Sequence, residues 1–256
     1  MIDFLYTNGD SFTNGNGIES DPAFSHLPLS ERVLKWRQHS WPNYLSNYLK
    51  CNLLNEGEGA GSNARMVRTT INFLNSYPKN KYHNLLVVLG WTSVDRTEIY
   101  VEENNVKEWL RFNMGQKISS HGIPFSKTLT NNLDKLQKDY VTLVYNEYYS
   151  YTIFLQQVYM MKNLLDNLKI KYIFFNSLPW LGQNFIDLAD ENLKNIQQNL
   201  IHPALLNFKD TTTDNCMINY LYKNNLPISS CKHPMVEGHL SWAYFLRQEI
   251  KMVYKI

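Results

Sequence analysis

Leu85-Leu86-Val87-Val88-Leu89, halted by Gly90, offers no polar position on either face of a strand. Alternation would mark a sheet with one wet face; an unbroken aliphatic run marks a strand covered on both sides, as in the middle of a parallel sheet. Tyr172 to Phe175 is a second such run, followed by Asn176-Ser177-Leu178-Pro179. Parallel neighbours require a crossover connection, and the stretch from about Tyr145 to Leu168 has the length and period of a helix that could supply it. Ile2 to Tyr6 is a third short apolar run. Strand and helix signals in alternation predict an α/β chain with a doubly wound sheet.

The first run ends in Asn8-Gly9-Asp10-Ser11-Phe12, so a strand delivers Ser11 at its carboxyl end, where open α/β sheets bind their ligands. Gly-Asp-Ser is also ordinary turn chemistry. Leu29 to Gln38 and Trp41 to Leu49 read as helices, with Pro42 in a first turn. Gly57, Gly59 and Gly61 mark a loop before Ser62-Asn63, which can cap a helix over Ala64 to Leu74. A last helix is expected from Val236 to about Val253. The polar stretch 98–138 shows no strong strand and is expected to be a lid-like or covering insertion on a single domain spanning 1–256.

A formal charge of +2, from 25 basic and 23 acidic residues, shows no nucleic-acid footprint. No apolar stretch nears the roughly 20 residues of a spanning helix, and the amino terminus carries no export signal. The expectation is a cytoplasmic protein with no membrane or nucleic-acid partner and no cofactor or metal. Cys51, Cys216 and Cys231 have neither disulfide-framework nor zinc-site spacing.

Near the carboxyl end stands His233-Pro234, with Gly238-His239 beyond it. Ester hydrolysis needs a base that takes a serine proton and returns it to the leaving group, and an imidazole has the right affinity for it. A late loop before a last helix can bring His233 back over the sheet to Ser11. A cysteine nucleophile is disfavoured, because Cys231 and His233 would point apart on an extended segment.

Taken together, Gly9-Asp10-Ser11-Phe12, Gly61-Ser62-Asn63, Leu89-Gly90-Trp91-Thr92-Ser93 and His233-Pro-Met-Val-Glu-Gly-His239 resemble, in order, the blocks of the SGNH (GDSL-like) hydrolases. The resemblance implies a three-layer α/β/α sandwich, flavodoxin-like, with a central parallel sheet of about five strands. It implies acyl-ester hydrolysis in which Ser11 is the nucleophile and His233 the base, with the Ser11 and Gly61 backbone amides in an oxyanion hole. O-acetylated carbohydrate or another small ester is the implied substrate, and His239 is expected to be structural.

Two blocks depart from the family. An asparagine is usual two residues after the third-block glycine, where this chain has Thr92; Thr92 and Asn63 are rival candidates for that oxyanion donor. The acidic residue usual three positions before the histidine is replaced by Ser230. The imidazole must then be oriented by Ser230, a backbone carbonyl or a remote carboxylate such as Asp214. Arg96 is a candidate ligand for a substrate carboxylate or hydroxyl, against a surface ion pair; Trp91, Trp180 and Trp242 are cleft or core residues. The departures also admit a catalytically weakened member serving as a binding or structural module, for example in a virus particle.

Overall fold

The computed structural model describes residues 2–112, 125–178, 191–200, 202–206 and 216–256. The first half runs β1 (Phe4–Gly9), α1 (Ser11–Asn14), α2 (Leu29–His39), α3 (Trp41–Leu49), β2 (Asn52–Asn55), α4 (Asn63–Ser76) and β3 (Leu85–Trp91). A hairpin of β4 (Thr97–Glu103) and β5 (Val106–Phe112) precedes α5 (Lys127–Asp139) and α6 (Glu147–Asn167). β6 (Lys171–Asn176), α7 (Glu191–Asn199), α8 (Met217–Lys223) and α9 (Val236–Tyr254) complete the order.

Among the described residues the main sheet has four strands in the order β2-β1-β3-β6, all parallel. The expected fifth position is represented by a single parallel bridge between Phe174 and Leu205. Chain direction across the sheet switches between β1 and β3, and crevices for ligands open at such switch points. Every residue of β3 is buried, as its unbroken aliphatic run requires.

Adjacent residues of a strand face opposite sides, and β6 shows both layers at once. Phe175 meets Trp41 of α3 and Trp242 of α9 edge-on, whereas Phe174 meets Trp91, which in turn packs edge-on against Phe154 of α6. Helix α3 packs on α9, and α6 contacts α4 and α7. The sheet is therefore sandwiched, with the core on both of its faces.

The 98–138 region departs from expectation. Residues 97–112 form an antiparallel hairpin, turned at Asn104 and Asn105, both with positive φ (51° and 66°). Two consecutive left-handed residues are the signature of the tight hairpin turn that follows strand twist, and asparagine tolerates them. Leu110 and Phe112 join Leu133 of α5 in a small second core. Arg68 straps the hairpin to α4: its guanidinium makes two 2.8 Å bonds to Glu98 and lies 4.3 Å over the Trp109 ring. Residues 113–124, the rest of the expected insertion before α5, lie outside the described residues.

Candidate functional site

Paired glycines make room for the turn that carries Ser11. Gly9 and Gly90 are register partners at the carboxyl ends of β1 and β3, and a Cβ on Gly9 would fall 2.2 Å from Thr13 Oγ1 and 2.9 Å from the Gly90 carbonyl. Thr13 can therefore fold back over the strand ends, and the chain turns at once into α1. Asp10 caps that turn, accepting Phe12 N–H at 3.0 Å, and Gly15 ends it at φ 99°. Ser11 is the first residue inside, so its amide has no intrahelical acceptor.

His233 Nε2 lies 2.8 Å from Ser11 Oγ. The two residues are 222 positions apart in sequence, brought together by the loop preceding α9. That loop is closed by Ser229 N–H donating to the His233 carbonyl and by His233 N–H donating to Ser229 Oγ. The Phe12 ring packs against the imidazole at 5.3 Å between centroids.

Nδ1 of His233 faces the Cys231 carbonyl oxygen at 3.1 Å and Cys231 Sγ at 3.2 Å. A carbonyl only accepts, so Nδ1 carries the proton, and Nε2 is left as acceptor for the Ser11 hydroxyl. The expectation that Cys231 and His233 point apart is corrected: Lys232 between them has φ 66°, so the segment is a tight turn and both side chains share one side. Ser230 is exposed and makes no bond to the ring, so the backbone carbonyl of Cys231 occupies the place for which Ser230 was the first candidate. Asp214 lies outside the described residues. Burial lowers the His233 pKa from its ordinary value, and Arg96 acts in the same direction against Asp10, the Cys231 carbonyl bond and Glu19.

The four candidate oxyanion residues are near one another but differently engaged. Gly61 N–H donates to Glu58 O at 2.9 Å, closing a turn. Asn63 is bound to the Thr92 backbone in both directions, accepting Thr92 N–H at 2.9 Å and donating to Thr92 O at 3.1 Å. The Thr92 hydroxyl donates to Asp10 Oδ2 at 2.7 Å and accepts from Arg96 Nη1 at 2.9 Å. Arg96 also reaches the fully buried Asp10 at 3.3 Å, so its ion pair belongs to the site and not to the open surface. Sequence reading missed this Asp10–Thr92–Arg96 cluster; the signal was there in a polar residue at each of two strand ends plus one arginine a turn later.

Trp91 is corrected from a substrate-binding candidate to a core residue: it is wholly buried against Phe154 and Phe174. Trp242 is likewise buried, and Trp180 lies outside the described residues. Among the described residues no group of three or more His, Cys, Asp or Glu side chains is placed to hold a metal, and no helix is long and apolar enough to cross a membrane.

His239 is fully buried and accepts Trp41 N–H at 3.3 Å, joining the start of α3 to α9. Burial, aided by His233, pushes its pKa down to about 3. The folded ring stays neutral, whereas the unfolded ring gains a proton as pH falls through the ordinary histidine value. Its contribution is thus constant above that value and is lost on acidification toward about 3, at up to about 1.4 kcal/mol per pH unit. Thermal melting between pH 7 and 4.5 should show a falling Tm, with a flatter slope in His239→Asn, which keeps an acceptor for Trp41.

No curated protein sequence matches this one. Solved structures similar to the chain include a member of the lipolytic protein G-D-S-L family from Veillonella parvula DSM 2008, at 13% identity over 98% of each chain and a TM-score of 0.47. A carbohydrate esterase family 2 enzyme from Corynascus thermopiles aligns at 11% identity over 99% of this chain and 67% of that one, with a TM-score of 0.49. The acetyl xylan esterase Est2A from Butyrivibrio proteoclasticus aligns at 10% identity, covering 98% and 64%, with a TM-score of 0.47. The model of a family of unknown function, DUF6071, matches residues 29–249, most of the chain, and the protein belongs to that family.

Proposed function

We propose that the protein hydrolyses carboxylic esters through an acyl-enzyme on Ser11. The observation that carries this reading is the 2.8 Å contact between Ser11 Oγ and a His233 ring whose other nitrogen faces a carbonyl. Ser11 Oγ attacks the acyl carbon while Nε2 takes its proton; the resulting oxyanion is met by the Ser11 amide and neighbouring donors. Nε2 then gives the proton to the departing alcohol. In the second half Nε2 takes a proton from water, which attacks the acyl carbon, and returns it to Ser11 Oγ as the acid product leaves.

A carbonyl fixes the tautomer, as the acid of a triad does, but stabilises the imidazolium less than a carboxylate would. The Cys231 side chain already stands beside Nδ1, so Cys231→Asp should raise kcat on p-nitrophenyl acetate by roughly tenfold, a modest part of what the acid of a triad supplies. Ser230→Asp, on an exposed position, should leave the rate where it is. The reverse ranking would contradict the Nδ1 assignment.

The reading is tested by intact mass after treatment with an organophosphonate: one adduct on the wild type, none on Ser11→Ala. Acetylated xylan, as an O-acetyl carbohydrate, belongs in the substrate panel. A second reading, a binding module on a weakened site, is favoured by the engagement of Gly61 N–H, Asn63 and the Thr92 hydroxyl in internal bonds. Absence of the adduct would select it.

A further inference from the structure

A cavity of about 240 Å³ opens beside the site, between β3's exit and α6. Val94, Ile153 and Phe154 are apolar residues of its lining, Tyr140 and Arg96 line it as well, and Thr97 and Gln157 add polar positions. Tyr140 opens the one-turn π-helix Tyr140–Val144, a backbone irregularity that recurs at functional sites.

Arg96 lines this cavity and bonds to Asp10, the residue before Ser11. One guanidinium nitrogen, Nη1, is held by the Thr92 hydroxyl and by Asp10, the residue preceding the nucleophile. Its Nε and Nη2 have no hydrogen-bond partner among the described residues, although the side chain is only 21% exposed. A guanidinium is a rigid fork of five donors, so anchoring one nitrogen fixes where the remainder point. The buried Asp10 already balances the charge, which favours a carbonyl or oxyanion over strong binding of a free dianion. Gly61, Asn63 and Thr92 are meanwhile committed to internal acceptors, leaving Arg96 as the side-chain donor with spare capacity.

The side on which each half of an ester lies follows from the chemistry. The leaving oxygen must be within reach of His233 Nε2, because that nitrogen returns the proton. None of the residues packed on His233, among them Phe12, Gly17 and Cys231, lines the cavity. The alcohol therefore departs on the His233 side and the acyl group extends the other way.

We propose that Arg96 binds the acyl carbonyl oxygen and that the cavity behind it holds a medium-length, unbranched acyl chain. This rests on the ester-hydrolase reading above and names its acyl class. Each methylene taken from water into an apolar site is worth about a fourfold gain in affinity.

The test uses the intact chain and two readouts. In hydrolysis, kcat/KM should rise from p-nitrophenyl acetate to octanoate by at least roughly tenfold, the gain from burying about two of the added methylenes, and Ile153→Trp, which fills the cavity, should cut the octanoate-to-acetate ratio by a similar factor. Arg96→Lys should lower kcat on both esters, with Thr92→Asn restoring part of it by supplying an amide donor. In calorimetry on Ser11→Ala, octanoate should bind more tightly than acetate by the same margin, and Ile153→Trp should abolish the difference. Equal binding of octanoate and acetate would overturn the acyl cavity whether or not esters are cleaved. Chain-dependent binding without hydrolysis of any ester would instead overturn the ester-hydrolase reading and leave the cavity standing. Unchanged kcat in Arg96→Lys and Arg96→Ala would remove Arg96 from the carbonyl site.

Discussion

Replacing His233 by alanine should lower kcat for ester hydrolysis by about 10³- to 10⁴-fold with little change in Tm. The side chain bonds Ser11 Oγ and faces Cys231, while the loop is closed by the His233 backbone, which alanine keeps. In the proposed mechanism Ser11 and His233 act as a unit, so the double alanine variant should be hardly worse than either single one. The residual wild-type pH profile carries a second signature. The base works only as neutral imidazole, so activity falls as pH drops through its pKa. Burial lowers that pKa, and the acid limb of kcat/KM should therefore lie below the ordinary histidine value near 6.5. A limb at or above it would contradict the lowering of this pKa by burial of the ring.

The second large effect is expected at a residue with no chemistry. Gly17 has φ 101°, and a Cβ there would fall 2.5 Å from His233 Cβ and 2.9 Å from the Pro234 carbonyl. Alanine must adopt a conformation costing about 1–3 kcal/mol and push the His233 loop away from Ser11. A misplacement of about 1 Å can reduce rate about 100-fold, so Gly17→Ala should lose both several degrees of Tm and about two orders of magnitude in kcat. Gly59 supplies the contrast: its φ is not left-handed and the nearest atom to an added Cβ, Asn16 Nδ2, is 3.5 Å away. Gly59→Ala should melt and turn over like the wild type.

What was legible in the sequence was whatever depends on local pattern. The unbroken runs at Leu85 and Tyr172 could only be doubly covered strands, and Pro42 and Ser62 sit at helix starts as their backbone preferences dictate. The hairpin at 97–112 was hidden because its strands mix charged with apolar positions and owe their burial to Leu133 and to the Arg68 strap, both distant in sequence. Strand β2 is four residues long on the sheet edge, too short to carry a period. In the site, Ser11 and His233 could be paired from chemistry alone. The turn at Lys232, which brings Cys231 to Nδ1, depends on a left-handed lysine that no composition rule flags. The Asp10–Thr92–Arg96 cluster likewise needs the β1–β3 register before its members are neighbours.

The central claim, acyl transfer through Ser11, is tested most directly by comparing steady-state hydrolysis of p-nitrophenyl acetate, p-nitrophenyl octanoate and acetylated xylan by wild type and Ser11→Ala. The geometry predicts measurable turnover of at least one ester by the wild type and a loss of about 10³-fold or more in Ser11→Ala, with both proteins melting alike. Equal rates for the two proteins, on every ester, would contradict it.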